Sequence, residues 1–121
     1  LIIWSASMTE PVNVDKVTCQ VDILPTVSNL LGLEYDSRML AGADALSDSE
    51  GLVVFTSRCW KSDRGFYNRF TQTFTPAAGV TMTQEEQDSY VAAMKKLVGY
   101  KLDSTAMIVE NNFYHYAFGN K

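Results

Sequence analysis

The alternation of apolar and polar positions divides the chain into elements. The opening "LIIW" (residues 1–4) is continuously apolar, the pattern of a strand buried on both faces of a sheet, and predicts a core strand. "SMTEPVNVDK" (residues 7–16) is polar and aperiodic and predicts a loop. Ile23, Val27, Leu30 and Leu31 then recur at i, i+4, i+7 and i+8, which gives a helix one apolar face. Asp22 is placed to cap that helix, and Pro25 falls in its first turn, where a missing N–H breaks no hydrogen bond. Gly32 stands where a left-handed residue closes a helix.

After a turn-rich surface connection, "LVVF" (residues 52–55) predicts a second buried strand, extended through "TSRCW". "KSDRG" (residues 61–65) predicts the turn of a hairpin. "FYNRFTQTFT" (residues 66–75) continues it as one strand, with Phe66, Phe70 and Phe74 on one face. Tyr67, Arg69, Thr71, Thr73 and Thr75 share the other face, and the threonines and aromatics favour a strand over a helix. "TQEE" (residues 83–86) is a capping box, followed by a stripe of Tyr90, Met94, Leu97 and Val98. Gly99 is placed to bend or break this helix before "KLDSTAMIVENN", and the aromatic tail "FYHYAFGNK" is expected to pack back on the body. The elements predict an α/β fold over residues 1–121 as a single domain. It has a small mixed sheet with an antiparallel hairpin, packed by one short helix and C-terminal helices.

Composition narrows the function classes. The 121 residues suffice for one small core, and 46% hydrophobic with 20% charged residues is ordinary for a globular domain. A net charge of −4 carries no footprint for nucleic acid. No basic run points to a membrane surface, and no apolar run approaches the roughly 20 residues of a membrane span, so no membrane contact is expected from the chain itself. Cys19 and Cys59 fit neither a disulfide framework nor a zinc pattern; two buried free thiols are expected rather than one bridge. "LIIW" lacks the charged lead-in of a signal peptide, and a chain that opens inside a core strand is expected to be a piece of something longer.

Chemistry-bearing motifs are sparse. There is no glycine-rich phosphate loop, H-E-x-x-H, C-x-x-C or G-x-S-x-G. His115, the lone histidine, is expected to be packed or at the surface, and nothing in the spacing joins it to Cys59 and Asp63 as a nucleophilic set. Glu85 and Glu86 belong to a capped helix start, and Asp48 and Glu50 to a solvated loop. No cluster of carboxylates suits magnesium or manganese. The nearest candidate is the hairpin tip, where Trp60, Lys61, Asp63, Arg64 and Tyr67 form a ligand-contacting rim or, more simply, an ordinary turn with a snorkelling arginine.

The segment "QVDILPTVSNLLGLEYDSRMLAGADALSDSEGLVVFTSRCWKSDRGFYN" (residues 20–68) resembles the last part of the sulfatase-like catalytic domain of lipoteichoic acid synthase-type enzymes, of the alkaline phosphatase superfamily. The resemblance is carried by Gln20, Asp22, Pro25 and Thr26, then by Gly42 and Asp44, then by Trp60, Asp63, Gly65 and Tyr67. Ala43 departs from it, because a basic or larger polar residue is expected between that glycine and aspartate. The resemblance implies a fragment of an alkaline-phosphatase-like domain whose parent is a membrane-anchored phosphoglycerol transferase or related sulfatase-like phosphodiester hydrolase. Such a parent works on the extracytoplasmic, cell-surface side of a bacterial membrane. In that family a threonine attacks the phosphodiester and a divalent metal, typically manganese, polarises it. The nucleophile and ligands lie upstream of the matched region, so no catalytic residue, metal ligand or cofactor is carried over. The implied partner is the upstream part of the same domain, and an exposed sheet edge would favour a homo-oligomer. The alternative is a free-standing binding or interaction module that uses the Trp60–Tyr67 hairpin and the aromatic C-terminal tail.

Overall fold

The computed structural model describes residues 2–4, 6 and 8–119. Its elements are α1 (Ile23–Leu30), β1 (Leu52–Val54), β2 (Trp60–Ser62), β3 (Gly65–Asn68), β4 (Thr73–Pro76), α2 (Gln84–Glu110) and α3 (Phe113–Phe118). The strands form one sheet in the order β1-β2-β3-β4, and every neighbouring pair is antiparallel. The architecture is mixed α/β as expected, but the sheet is a plain meander and not mixed.

The difference has a local cause. The two runs expected as single strands each fold back on themselves. Phe55 donates its N–H to the Cys59 carbonyl at 2.9 Å, and Arg58 turns the chain with φ 63°. Residues 69–72 turn in the same way, with Gln72 at φ 56°. Both turns use the left-handed region on residues other than glycine, which is uncommon and leaves no compositional signal. The hairpin predicted at "KSDRG" is present, with Ser62 opposite Gly65.

Register sorts the side chains. Val54, Trp60, Tyr67 and Phe74 pair in succession across all four strands and share the inner face. Trp60 stacks on Tyr67 with ring centroids 5.4 Å apart, and Phe74 and Tyr90 close around the indole at 5.6 and 5.8 Å. Phe66, Val53, Lys61 and Thr75 lie in the opposite row. This corrects the predicted pairing of Phe66 and Phe70 with Phe74: the turn at residues 69–72 reverses the chain, and Tyr67 takes the core position opposite Phe74. Phe70 is exposed.

α2 covers the inner face. Thr83 and Glu86 form the capping box predicted for it: the Thr83 hydroxyl accepts the Glu86 N–H at 3.3 Å, and the Glu86 carboxylate accepts the Thr83 N–H at 2.7 Å. Met94 and Val98 are buried, with Tyr90, Val91 and Leu102 beside them, whereas Leu97 is exposed. Gly99 does not end the helix, which runs unbroken for 27 residues, about 40 Å. Packing of its amphipathic face outweighs the modest cost of one interior glycine.

α1 is positioned differently from its pattern. Gly32 closes it as expected, at φ 64°, with Leu33 N–H donating to Ser28 and Gly32 N–H to Asn29. The buried side, however, carries Pro25, Thr26 and Ser28, while Ile23, Leu24, Leu30 and Leu31 are exposed. The apolar face points away from this core. Ile2, Ile3 and Trp4 form no strand and are exposed, because neither sheet edge, β1 nor β4, is paired with them; Leu1 lies outside the described residues. The loop expected over residues 7–16 is a loop wherever it is described. The aromatic tail folds as α3 and is tied to the body by Tyr114, whose hydroxyl donates to the Met39 carbonyl at 2.8 Å; its last two residues lie outside the described residues.

Candidate functional site

Of the five residues read as a hairpin-tip rim, Lys61 is exposed opposite Phe66, and the other four are placed in three environments. Trp60 and Tyr67 are 0% and 1% exposed and belong to the core instead of a rim. Asp63 is half-buried at the turn, and its two oxygens accept the Val17 and Gly51 N–H groups at 2.6 and 2.7 Å. It fastens the N-terminal loop and the start of β1 to the hairpin. Arg64 is exposed, 3.5 Å from the Glu50 carboxylate and 5.0 Å from the Tyr90 ring centre. Only Trp60 and Tyr67 are brought together.

A second bracket is built at α1. Asp22 does not cap the helix with its side chain. Its carboxylate reaches back to the Cys19 N–H and across to the Ala43 N–H, both at 2.8 Å. The Thr26 hydroxyl donates to the Asp22 carbonyl and accepts the Ala45 N–H at 2.9 Å, while Asn29 donates to Asp44 at 2.8 Å. Together these hold residues 43–45 against the helix. Gly42 is required there, since a Cβ at that position would stand 2.1 Å from the Val21 carbonyl oxygen.

Both cysteines are free. Burial, with the Asp22 carboxylate beside it, pushes the Cys19 thiol up, whereas the Ser57 hydroxyl and the Arg69 N–H lower that of Cys59. No described hydrogen bond joins Cys59 to Asp63 or His115. Among the described residues no three histidine, cysteine or acidic side chains converge to hold a metal ion, and no helix is long and apolar enough to cross a membrane.

A concave feature with several cationic side chains lies at one end of the sheet, where the β1–β2 and β3–β4 turns meet α2. A cavity of about 300 Å³ is lined there by Arg58, Trp60, Tyr67, Arg69, Gln72 and Lys95, among others. The Lys95 ammonium sits 4.9 Å from the centre of the Tyr67 ring. The Trp60 Nε1–H and the Tyr67 hydroxyl, both buried, have no hydrogen-bond partner among the described residues. Sequence reasoning found Trp60 and Tyr67 but missed Arg58, Arg69, Gln72 and Lys95. These come from three elements, and only the two unforeseen turns bring them together. A second cavity, about 590 Å³, runs between residues 16–22, β1 and α2, and its lining is largely apolar.

In comparison with known proteins, no family model matches the chain, and neither a curated protein nor a solved structure matches it.

Proposed function

We propose that this chain is the C-terminal structural portion of a phosphoglycerol transferase or sulfatase-like phosphodiester hydrolase of the alkaline phosphatase type, and that it is catalytically silent alone. The observation that carries the proposal is the wiring of the residues behind the resemblance. Asp22 and Thr26 of "QVDILPT" bond the backbone of the "GADA" loop, and Asp63 of "DRGFY" bonds Val17 and Gly51. The first two motifs thus form one bracket and the third a separate one, structural roles that need no chemistry of their own. The exposed apolar face of α1 adds support, because Leu24 and Leu31, at 59% and 67% exposure, suit burial against a further part of a larger domain.

In this proposal the upstream part of the parent supplies the threonine nucleophile and the manganese ligands. The residues present here do not fit that metal. Asp22, Asp44 and Asp63, the half-buried or buried acids of the motifs, spend their oxygens on N–H groups of the chain, Asp44 on the Leu46 N–H and the Asn29 side-chain amide. On this reading the parent works on the extracytoplasmic side of a bacterial membrane, and the preceding segment of the same domain is the partner. The binding-module alternative draws less support, because Trp60 and Tyr67 are not available at the surface.

The coding sequence preceding Leu1 tests the proposal. Membrane-spanning segments, a nucleophile position and, as the metal ligands the resemblance implies, an Asp-His pair shortly before "LIIW" are expected; an upstream sequence without them overturns it. Purified chain with manganese is expected to show no phosphodiesterase turnover, and turnover abolished by a chelator would refute the silent role.

A further inference from the structure

We propose that the cavity between the β1–β2 turn, the β3–β4 turn and α2 is a binding site for a tetrahedral oxyanion, a phosphate or phosphoryl group. This rests on the cavity alone and stands whether or not the chain is part of a phosphotransferase.

Its lining is one-sided in charge. Arg58, Arg69 and Lys95 contribute three cations and no carboxylate lines the cavity, in a chain whose net charge is −4. Arg69 and Lys95 have no ion-pair partner among the described residues. Arg58 has only Asp103 at 3.4 Å, an exposed pair that holds it weakly. Three like charges gathered on a small surface repel one another, and an anion relieves that repulsion.

The lining is also rich in hydrogen-bond donors. Arginine, lysine and the indole N–H donate only, and Trp60 Nε1 and Tyr67 Oη are buried without acceptors. Leaving two such groups unpaired costs about 1–3 kcal/mol each. Neither buried atom is exposed to the cavity, so the oxyanion is held by the Arg58, Arg69 and Lys95 head groups, with the Trp60 side chain as part of the wall. The donors outnumber what the two oxygens of a carboxylate can engage at once, which favours the tetrahedral ion. The strained backbone agrees: Arg58 and Gln72, two of the three residues other than glycine with positive φ among those described, both line this cavity.

The test is a titration of the full chain with inorganic phosphate, glycerol phosphate, acetate and chloride, followed by the indole N–H resonances in a ¹H–¹⁵N spectrum. Trp4 is the only other tryptophan, and Trp4→Phe assigns the Trp60 signal. A saturable shift of Trp60 with phosphate is expected, weaker with acetate and absent with chloride at equal ionic strength. Tighter binding of glycerol phosphate than of phosphate would identify an esterified phosphoryl group as the ligand, and the reverse the free ion. Arg69→Gln and Lys95→Gln are exposed changes outside the core, and each is expected to weaken binding roughly tenfold. A shift that does not saturate, that chloride reproduces, or that both variants leave unchanged overturns the site.

Discussion

The Asp22 carboxylate accepts the Ala43 N–H at 2.8 Å across 21 residues of chain, and with its other oxygen it accepts the Cys19 N–H at 2.8 Å. Asp22 is 9% exposed, so water cannot replace these bonds freely. Asp22→Ala orphans both donors and is expected to cost about 3 kcal/mol in urea denaturation. Asp22→Asn keeps one acceptor but turns an NH₂ toward the other donor, so its loss should be intermediate. Equal stability of Asp22→Ala and the native chain would show that the loop at residues 43–45 is held by other means.

Asp63 makes the corresponding bond pair to Val17, in the N-terminal loop, and to Gly51, immediately before β1. Asp63→Ala is therefore expected to free the N-terminal loop before it unfolds the sheet. Hydrogen exchange at the Val17 and Gly51 amides should rise by an order of magnitude or more, while Trp60 and Tyr67 amides in the paired strands keep their protection. A uniform loss of protection would instead make Asp63 part of the global folding unit.

The Tyr90 hydroxyl donates to Glu50 at 2.5 Å and lies 2.7 Å from the Ser62 hydroxyl. Burial, with the Glu50 carboxylate adding to it, pushes the phenol up from 10.0 to about 12. The folded state thus keeps a proton that the unfolded chain releases, and stability falls as the pH rises between those values. The contribution is fully present below pH 10 and is lost by about pH 12. Tyr90→Phe should be less stable than the native chain near neutrality, and the gap should narrow across that window. Parallel pH profiles for the two proteins would mean that Tyr90 titrates alike folded and unfolded.

What the sequence made legible is what short-range chemistry determines. The Thr83–Glu86 box, the Gly32 closure and the "KSDRG" hairpin each need only neighbours within a few residues. What it hid depends on partners far along the chain. The apolar spacing of α1 identifies a face but not the direction in which it points, and the partner of Asp22 is a backbone amide of residue 43. The reversals at Arg58 and Gln72 put bulky polar residues in left-handed backbone, so the pattern continues through them as though each pair of strands were one. The cavity was hidden for the same reason, since its cations meet only once both reversals are made. Trp60 and Tyr67 stand out in the sequence as part of a polar and aromatic turn. Their burial follows from pairing with Val54 and Phe74, which the sequence pattern places in the same continuous strands as Trp60 and Tyr67 and not opposite them.

One substitution at two glycines separates the two kinds of information. At Gly42 an added Cβ would meet only backbone, the Val21 carbonyl oxygen at 2.1 Å, its carbon at 2.4 Å and the Asp22 nitrogen at 2.8 Å. None of these can swing aside as a side chain would, so Gly42→Ala must push the loop off α1 and with it the Ala43 N–H that Asp22 accepts. A loss of about 2–3 kcal/mol is expected. At Gly99 the backbone is helical and an added Cβ would meet nothing within 4 Å. Gly99→Ala removes freedom from the unfolded chain without strain in the folded one and should add about 0.5–1 kcal/mol. Thermal denaturation of the two variants beside the native chain decides both. If Gly99→Ala destabilises, α2 needs its flexibility there; if Gly42→Ala is neutral, the loop carries slack and the bracket around Asp22 is not a rigid one.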